Sequence, residues 1–254
     1  MIFNRTKKIF SIALGSIFIL SSCDKGFEQP GSFSSVAVIH ASPVSSTSPT
    51  DTLHFFVDTA RYNSTGVTYI NSSGYLPVSS GTRPISIRRK SVNTSALYVA
   101  TFPYDFARGK SYSFFVYDTT TSATGTAKVL RLQDDLTLPM ANMAHIRALH
   151  LAPNGPAVDI TLLRTSVTPN DSITITNRTY VGATPNEAAL SAFTPVPRGT
   201  YTAKIKLAGT QTVATSAIVV LSPAADLNIG RIVTVFVTGT AKGRALAVGS
   251  FRHY

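Results

Sequence analysis

Two histidines at matching places in the chain are the first candidates for chemistry. His40 and His150 are each followed within three residues by an alanine and a proline, and Asp51 and Asp159 come 11 and 9 residues after them. A repeated imidazole could serve as a metal ligand or as a general base. The alternative, which we favour, is a histidine at a strand end whose ring holds the next turn by hydrogen bonds, with the two aspartates fixing turns of their own.

Other catalytic patterns are missing from the sequence. The remaining histidines, His54, His145 and His253, have no ligand-like spacing to the first two. Asp134 and Asp135 are adjacent, and on a strand their carboxylates would point to opposite faces. Neither a G-x-S-x-G turn, an H-E-x-x-H helix nor a glycine-rich phosphate loop occurs. We therefore expect no catalytic residues, no metal, no cofactor and no enzymatic activity.

Cys23 is the only cysteine, so neither an intrachain disulfide nor a cysteine-based zinc site can form. It follows Leu20 and two serines, an arrangement that resembles the bacterial lipobox. The apolar run 9–20 before it is preceded by Arg5, Lys7 and Lys8, and it is too short to span a bilayer core of about 30 Å. The resemblance implies cleavage before Cys23 and lipidation of its thiol; an ordinary secretory signal is the alternative.

We therefore predict a lipoprotein signal peptide at residues 1–22 and a flexible stalk at residues 23–35. The membrane is then a partner through the N-terminal lipid. The expected location is the cell envelope, anchored to the outer membrane and either periplasmic or surface-exposed. The acid that follows the cysteine, Asp24, weakly resembles the surface-export signals of Bacteroidota lipoproteins.

The mature chain contains an internal repeat. Residues 96–116 align without gaps on residues 217–237 at a constant offset of 121, which places Asp105 on Asp226 and Gly109 on Gly230. Further blocks match upstream in the same order. Two tandem units of ordinary domain size follow, and we predict them at residues 36–140 and 141–254.

Both units have the pattern of β-sheet proteins. Alternating apolar runs such as 53–57, 85–87 and 202–207 are separated by Gly, Pro, Asn and Ser at short spacing. Residues 232–237 are nearly continuous in apolar side chains, which is typical of a central strand, and residues 186–192 could form one short helix. The fold class predicted is all-β, a sandwich or barrel in each unit.

Several motifs carry a family resemblance. The segments 39–43, 78–82 and 109–112 of the first unit, and the segments 145–150 and 197–201 of the second unit, resemble domain-of-unknown-function family 4397 and occur in the same order in both units. The first unit departs from the family pattern through an insertion at residues 44–49 and through Arg83 in place of the usual tyrosine. The resemblance implies two tandem immunoglobulin-like β-sandwich domains in a secreted or lipid-anchored bacterial protein, and it implies no activity.

The net positive charge of the chain limits the kinds of binding partner to be expected. Lys and Arg number 23 against 12 Asp and Glu, and removing residues 1–22 lowers the formal charge from +11 to +8. An exported lipoprotein rarely meets nucleic acid, so we expect no nucleic-acid partner. Attraction to anionic envelope glycans or lipid headgroups and a plain solvated surface both remain open.

The sequence therefore predicts a lipid-anchored envelope protein with a non-catalytic role in binding, adhesion or envelope structure. Its second partner would be an envelope glycan or another protein. A glycan-binding accessory module is the alternative, although the absence of Trp weakens it. An enzyme is the least supported reading.

Overall fold

The structure is a computed structural model that describes residues 32–43, 52–90, 95–118, 127–164, 171–220, 231–239 and 245–253. These residues form sixteen β-strands and one short α-helix, so the predicted all-β class is confirmed. In this part of the chain no helix has the length and hydropathy needed to cross a membrane. Cys23, the signal peptide and Asp51 lie outside the described residues.

The first eight strands form two four-stranded sheets, which we call the first unit. In chain order the strands are β1 (Phe33–His40), β2 (Thr52–Val57), β3 (Ala60–Arg61), β4 (Ser72–Ser79), β5 (Gly81–Lys90), β6 (Ser95–Phe106), β7 (Ser111–Tyr117) and β8 (Lys128–Asp134). One sheet has the order β4-β1-β7-β8 and is named here the first contact sheet; the other, β3-β2-β5-β6, is the first outer sheet.

The remaining elements form the second unit. They are β9 (Met143–His150), β10 (Val158–Arg164), β11 (Asp171–Arg178), α1 (Glu187–Ser191), β12 (Thr194–Pro197), β13 (Thr200–Leu207), β14 (Val213–Val220), β15 (Ile232–Thr238) and β16 (Ala247–Arg252). The second contact sheet has the order β12-β9-β15-β16 and the second outer sheet the order β11-β10-β13-β14.

The two units share one strand topology. In each contact sheet the first strand pairs in parallel with a strand far along the chain: β1 with β7, and β9 with β15. All other strand pairs are antiparallel. Positions in the two contact sheets therefore correspond one to one. Ala37 lies opposite Ser113 in the first contact sheet, and at the matching positions of the second contact sheet Arg147 lies opposite Thr234.

Each unit has its own core between its contact sheet and its outer sheet. In β2 the alternating residues Leu53, Phe55 and Val57 are buried there, as their spacing predicted. In the second unit Ala203 and Ile205 of β13 do the same. Two sheets packed face to face around an apolar layer are consistent with a β-sandwich.

A third apolar cluster lies between the two contact sheets. Ile39, Phe115 and Leu132 of the first unit pack in it with Leu149 and Phe236 of the second. The Phe115 and Phe236 rings meet edge to face, with centroids 5.6 Å apart. Strands β1, β7 and β15 are consequently buried on both faces over most of their length, which explains the nearly continuous apolar run of β15.

Element ends differ in places from the sequence-based expectations. β1 begins at Phe33, inside the segment predicted as stalk, because Ser34 and Ser35 already pair with β4. The expected short helix is present as α1, capped by Asn186, whose Oδ1 accepts from the Ala189 backbone N–H at 3.1 Å. The connection between β8 and β9 contains the predicted boundary at residue 140.

Candidate functional site

His150 is the last residue of β9, and its ring organises the turn that follows. Its Nδ1 accepts a hydrogen bond from the Ala152 backbone N–H at 3.2 Å, and its Nε2 donates to the Pro156 carbonyl at 2.9 Å. Burial lowers the pKa of the ring. The imidazole is thus neutral with both nitrogens engaged by backbone, an arrangement suited to a structural role and not to metal binding or proton transfer.

His40 occupies the corresponding place at the end of β1. It is buried, and its ring lies edge-on to Tyr69 with centroids 5.9 Å apart. Its carbonyl accepts from the Ile70 N–H at 2.8 Å, just as the His150 carbonyl accepts from the Val181 N–H at 3.1 Å. The two histidines therefore hold the same backbone connection in the two units, and the structure places them in separate units.

Asp159 is half-buried on β10 and connects this strand to β11 and to the turn after β13. Its carboxylate accepts from the Asn177 N–H at 2.7 Å and from the Gly209 N–H at 3.1 Å. These two backbone donors lower its pKa. Its carboxylate oxygens are occupied by the end of β11 and by the turn after β13, and Asp51, its expected counterpart, lies outside the described residues.

Among the described residues, a set of buried titratable side chains that was not predicted lies between the two contact sheets. We call it the inter-unit cluster; its members are Tyr75, Ser113, Asp134, Arg147, Thr234 and His253. The Arg147 and Asp134 side chains are 2% and 0% exposed, and Arg147 Nη1 lies 2.9 Å from Asp134 Oδ1. An ion pair this deeply buried joins β9 of one unit to β8 of the other.

Further hydrogen bonds from neighbouring side chains engage both Arg147 and Asp134. Arg147 donates through Nε to Thr234 Oγ1 at 3.0 Å and through Nη2 to Ser113 Oγ at 2.8 Å. Asp134 accepts from Ser113 Oγ at 2.9 Å and from the Tyr75 hydroxyl at 2.8 Å. Such partners offset the cost of removing both charges from water.

His253 closes the network. Its Nδ1 lies 2.6 Å from the Tyr75 hydroxyl oxygen, and its Nε2 lies 2.8 Å from Thr234 Oγ1. Because Tyr75 gives its single proton to Asp134, Nδ1–H of His253 donates to Tyr75 and Nε2 accepts from the Thr234 hydroxyl. Burial and the nearby Arg147 charge lower the pKa of His253 to about 2, so the ring is neutral. Burial raises the pKa of Asp134 against the pull of Arg147.

A nucleophile, a base and an acid are all present in this cluster, yet it cannot act as a catalytic site. The side chains of Asp134 and His253 are fully buried, and Ser113 is buried with them. Ser113 donates to Asp134, and its oxygen accepts from Arg147, so it makes no hydrogen bond to His253. These side chains are engaged with one another, and the network fixes one unit against the other.

Sequence analysis missed this cluster because its members are up to 178 residues apart. One signal was present. Ser113 and Thr234 are polar residues at the same position of two otherwise apolar strands, separated by the repeat offset of 121. A polar residue retained at one place in both apolar strands indicates a shared buried polar layer.

Two openings on the surface are large enough to be considered as binding sites. A groove of about 390 Å³ runs past Lys110, Gln133 and Asp135, where Thr137 already donates to the Asp135 carboxylate through its backbone N–H at 3.0 Å and its hydroxyl at 2.6 Å. A smaller cavity of about 250 Å³ lies beside His150. Among the described residues no group of three His, Cys, Asp or Glu could hold a metal ion.

Basic side chains lie on both outer sheets. Arg83 pairs with Asp58 at 3.2 Å, and the Arg88 guanidinium lies 5.4 Å from the Phe56 ring centroid. Lys204 and Lys206 alternate with the buried residues of β13, so both face solvent on the second outer sheet.

Comparison with known proteins gives one family and several distant structural likenesses. The family described as "Domain of unknown function (DUF4397)" matches residues 34–161, from β1 into β10. A solved carbohydrate-binding module, CBMbc (family CBM26) from Eubacterium rectale Amy13K in complex with maltoheptaose, is 11% identical. The alignment covers 85% of this chain and 95% of that one, with a TM-score of 0.25.

The second likeness is to a protein of Parabacteroides distasonis ATCC 8503 titled "Putative cell adhesion protein". It is 7% identical, with 86% of this chain and 97% of that one covered, at a TM-score of 0.22. Likenesses at such TM-scores carry no information on function. No match was found among curated proteins.

Proposed function

The chain belongs to the DUF4397 family of domains of unknown function, and from that premise we propose that it is a non-catalytic protein of the cell envelope. In this proposal Cys23 carries the lipid anchor, residues 23–32 form the stalk, and two tandem immunoglobulin-like domains form one rigid body that presents binding surfaces. The location is the outer membrane, on its periplasmic or external side.

Duplication is supported by the equivalence of the two units. Their contact sheets and outer sheets have matching strand orders, and the parallel pairs β1·β7 and β9·β15 occur at the same place in each. A parallel pair between strands far apart in sequence is an uncommon feature in an antiparallel sheet protein, and its presence in both halves favours two copies of one domain.

One observation supports the non-catalytic role. The buried titratable side chains of the inter-unit cluster and of the His150 turn are all engaged in ion pairs or hydrogen bonds within the protein. Asp134 pairs with Arg147, His253 is hydrogen-bonded to Tyr75 and Thr234, and His150 is hydrogen-bonded to backbone. Groups so engaged stabilise the arrangement of the units, which is what a rigid scaffold needs. The exposed outer sheets and surface cavities are then the parts left for binding.

Metabolic labelling with an alkyne analogue of palmitate tests the anchor. The full chain is expressed in its bacterial host as wild type and as Cys23→Ser, with Ser21→Ala as a control that keeps a small residue before the cysteine. We expect label and membrane fractionation for the wild type and the control, and neither for Cys23→Ser. Labelling that persists in Cys23→Ser, or a wild type without label, would contradict the proposal.

A further inference from the structure

The cavity beside His150 is lined in part by apolar residues. Ala148, Val181 and Leu190 belong to its lining, together with His150. Both His150 nitrogens are engaged by backbone, so this ring adds a neutral surface and no free donor. The interior is therefore suited to the C–H face of a ligand.

Polar side chains surround the entrance, and they are uncommitted. The side chains of Asn177, Arg178 and Thr179 make no hydrogen bond or ion pair with the described part of the chain. Asn186 uses its Oδ1 to cap α1, which leaves its Nδ2 amide unengaged among those residues. These four groups contrast with the inter-unit cluster, where every polar side chain is engaged.

The only charged residue that lines the cavity among the described residues is a basic one, Arg178. Arg178 is exposed at the end of β11, and no aspartate or glutamate lines the cavity. Of the neighbouring carboxylates, Asp159 is held by two backbone donors, including the N–H of Asn177. Asp118 interacts with the Tyr180 hydroxyl and with Lys128. A guanidinium presents paired N–H donors that match a carboxylate in a bidentate arrangement.

The volume of the cavity limits the ligand to about one sugar-sized ring. Cavities for drug-sized ligands usually measure about 300–1,000 Å³, and this cavity of about 250 Å³ is smaller. A single sugar residue combines an apolar C–H face with hydroxyl groups at its edge, which are the surfaces that the interior and the entrance can match.

We propose that this cavity binds a single acidic sugar residue, a hexuronic acid at the end of an envelope glycan. The ring lies on Ala148, Val181 and Leu190, while its hydroxyls contact Asn177, Thr179 and Asn186, and its carboxylate pairs with Arg178. The proposal rests on the envelope role proposed above and names the class of ligand for it.

Saturation-transfer NMR on the lipid-anchored protein in detergent micelles tests this assignment, because it observes the free ligand and tolerates a large particle. The probes are glucuronic and galacturonic acid, with glucose and galactose as the neutral comparison. We expect saturation transfer from the protein to the uronic acids and an affinity at least about threefold lower for the neutral sugars, since a charged hydrogen bond is lost.

Two variants locate the site. Arg178→Gln should weaken uronic acid binding about three- to tenfold, whereas Arg252→Gln, which removes an exposed charge from β16, should leave it unchanged. Val181→Trp should block the cavity and remove binding of both sugar classes, and its circular dichroism spectrum and unfolding midpoint establish that it has folded.

Three results would overturn the proposal: no saturation transfer from any sugar, equal binding of neutral and acidic sugars, or equal effects of Arg178→Gln and Arg252→Gln. The membrane anchor is measured separately by palmitate labelling. A cavity that fails to bind sugar in a labelled, membrane-bound protein refutes the ligand and leaves the envelope role intact, and an unlabelled protein refutes the anchor.

Discussion

Replacing Arg147 by methionine is the perturbation that tests the inter-unit cluster most directly. Methionine keeps much of the side-chain volume and removes the charge, leaving Asp134 with Tyr75 and Ser113 as its remaining hydrogen-bond partners. Both members of the ion pair are nearly or fully buried, so water cannot replace the lost guanidinium. Removing one partner of a buried pair typically costs about 3–5 kcal/mol, and we expect a loss of that size here.

A double-mutant cycle separates the pair from its surroundings. Asp134→Asn removes the opposite charge and keeps one amide oxygen, which can still accept from either Ser113 or Tyr75. Because Arg147→Met/Asp134→Asn buries no net charge, its loss of stability should be smaller than the sum of the single losses by about 1–3 kcal/mol. Arg83→Met is the matched control, because it breaks the Arg83–Asp58 pair, whose side chains are 34% and 48% exposed.

Urea unfolding at neutral pH provides the measurement. The chain has no Trp and 10 Tyr, so tyrosine fluorescence and far-ultraviolet circular dichroism follow the transition. The control should lose no more than about 1 kcal/mol. An Arg147→Met loss as small as that of the control, or strictly additive single and double variants, would refute the view that this buried pair fastens the units together.

Two more outcomes follow from the histidines. For His253 the folded pKa is about 2 against 6.5 for the free side chain, so its contribution to the free energy of unfolding is complete above pH 6.5 and falls by about 1.4 kcal/mol per pH unit below it. Urea titrations at pH 6.5 and 4.5 should therefore show that His253→Gln loses about 2–3 kcal/mol less stability than wild type between these two pH values. Parallel pH profiles of the two proteins would contradict the assignment. His150→Ala should lower the free energy of unfolding by about 1–3 kcal/mol, because the Ala152 N–H and the Pro156 carbonyl lose their partner. His145→Ala on the same strand is the control and should stay near wild type. Equal effects of the two substitutions in the same urea experiment would argue against a special role for the His150 turn.

Local patterns were sufficient to predict the β class and several strands. In β2 and β13 the apolar residues alternate because one face of each strand meets a core and the other meets solvent. Asn186 before an apolar segment also marks the start of α1. These features depend on residues close together in sequence, so a single sequence contains them.

The contact between the units could not be predicted in the same way. The apolar run 232–237 indicates a central strand, which β15 is, but it does not say that its second face is covered by another sheet of the same chain. The pairing of Asp134 with Arg147 and His253 depends on the relative placement of two sheets. The adjacent Asp134 and Asp135 do diverge as expected, one into the cluster and one into solvent.

The repeat explains why this contact has its particular charges. Corresponding positions of the two contact sheets meet one another, since Ser113 corresponds to Thr234 and both belong to the cluster. Asp134 is the last residue of β8, next to Ser113, and His253 directly follows the last residue of β16, next to Thr234. Such a contact has the form of a two-fold dimer interface within one chain.

If the same face of the first unit met a second copy of itself, two Asp134 carboxylates would be buried without a cation. The second unit meeting its own copy would bury two Arg147 guanidinium groups without an acid. Only the first unit against the second places one buried charge of each sign together, at 2.9 Å. The difference between Ala37 and Arg147 at matching positions thus disfavours both like-with-like pairings, because an unpaired buried charge costs several kcal/mol.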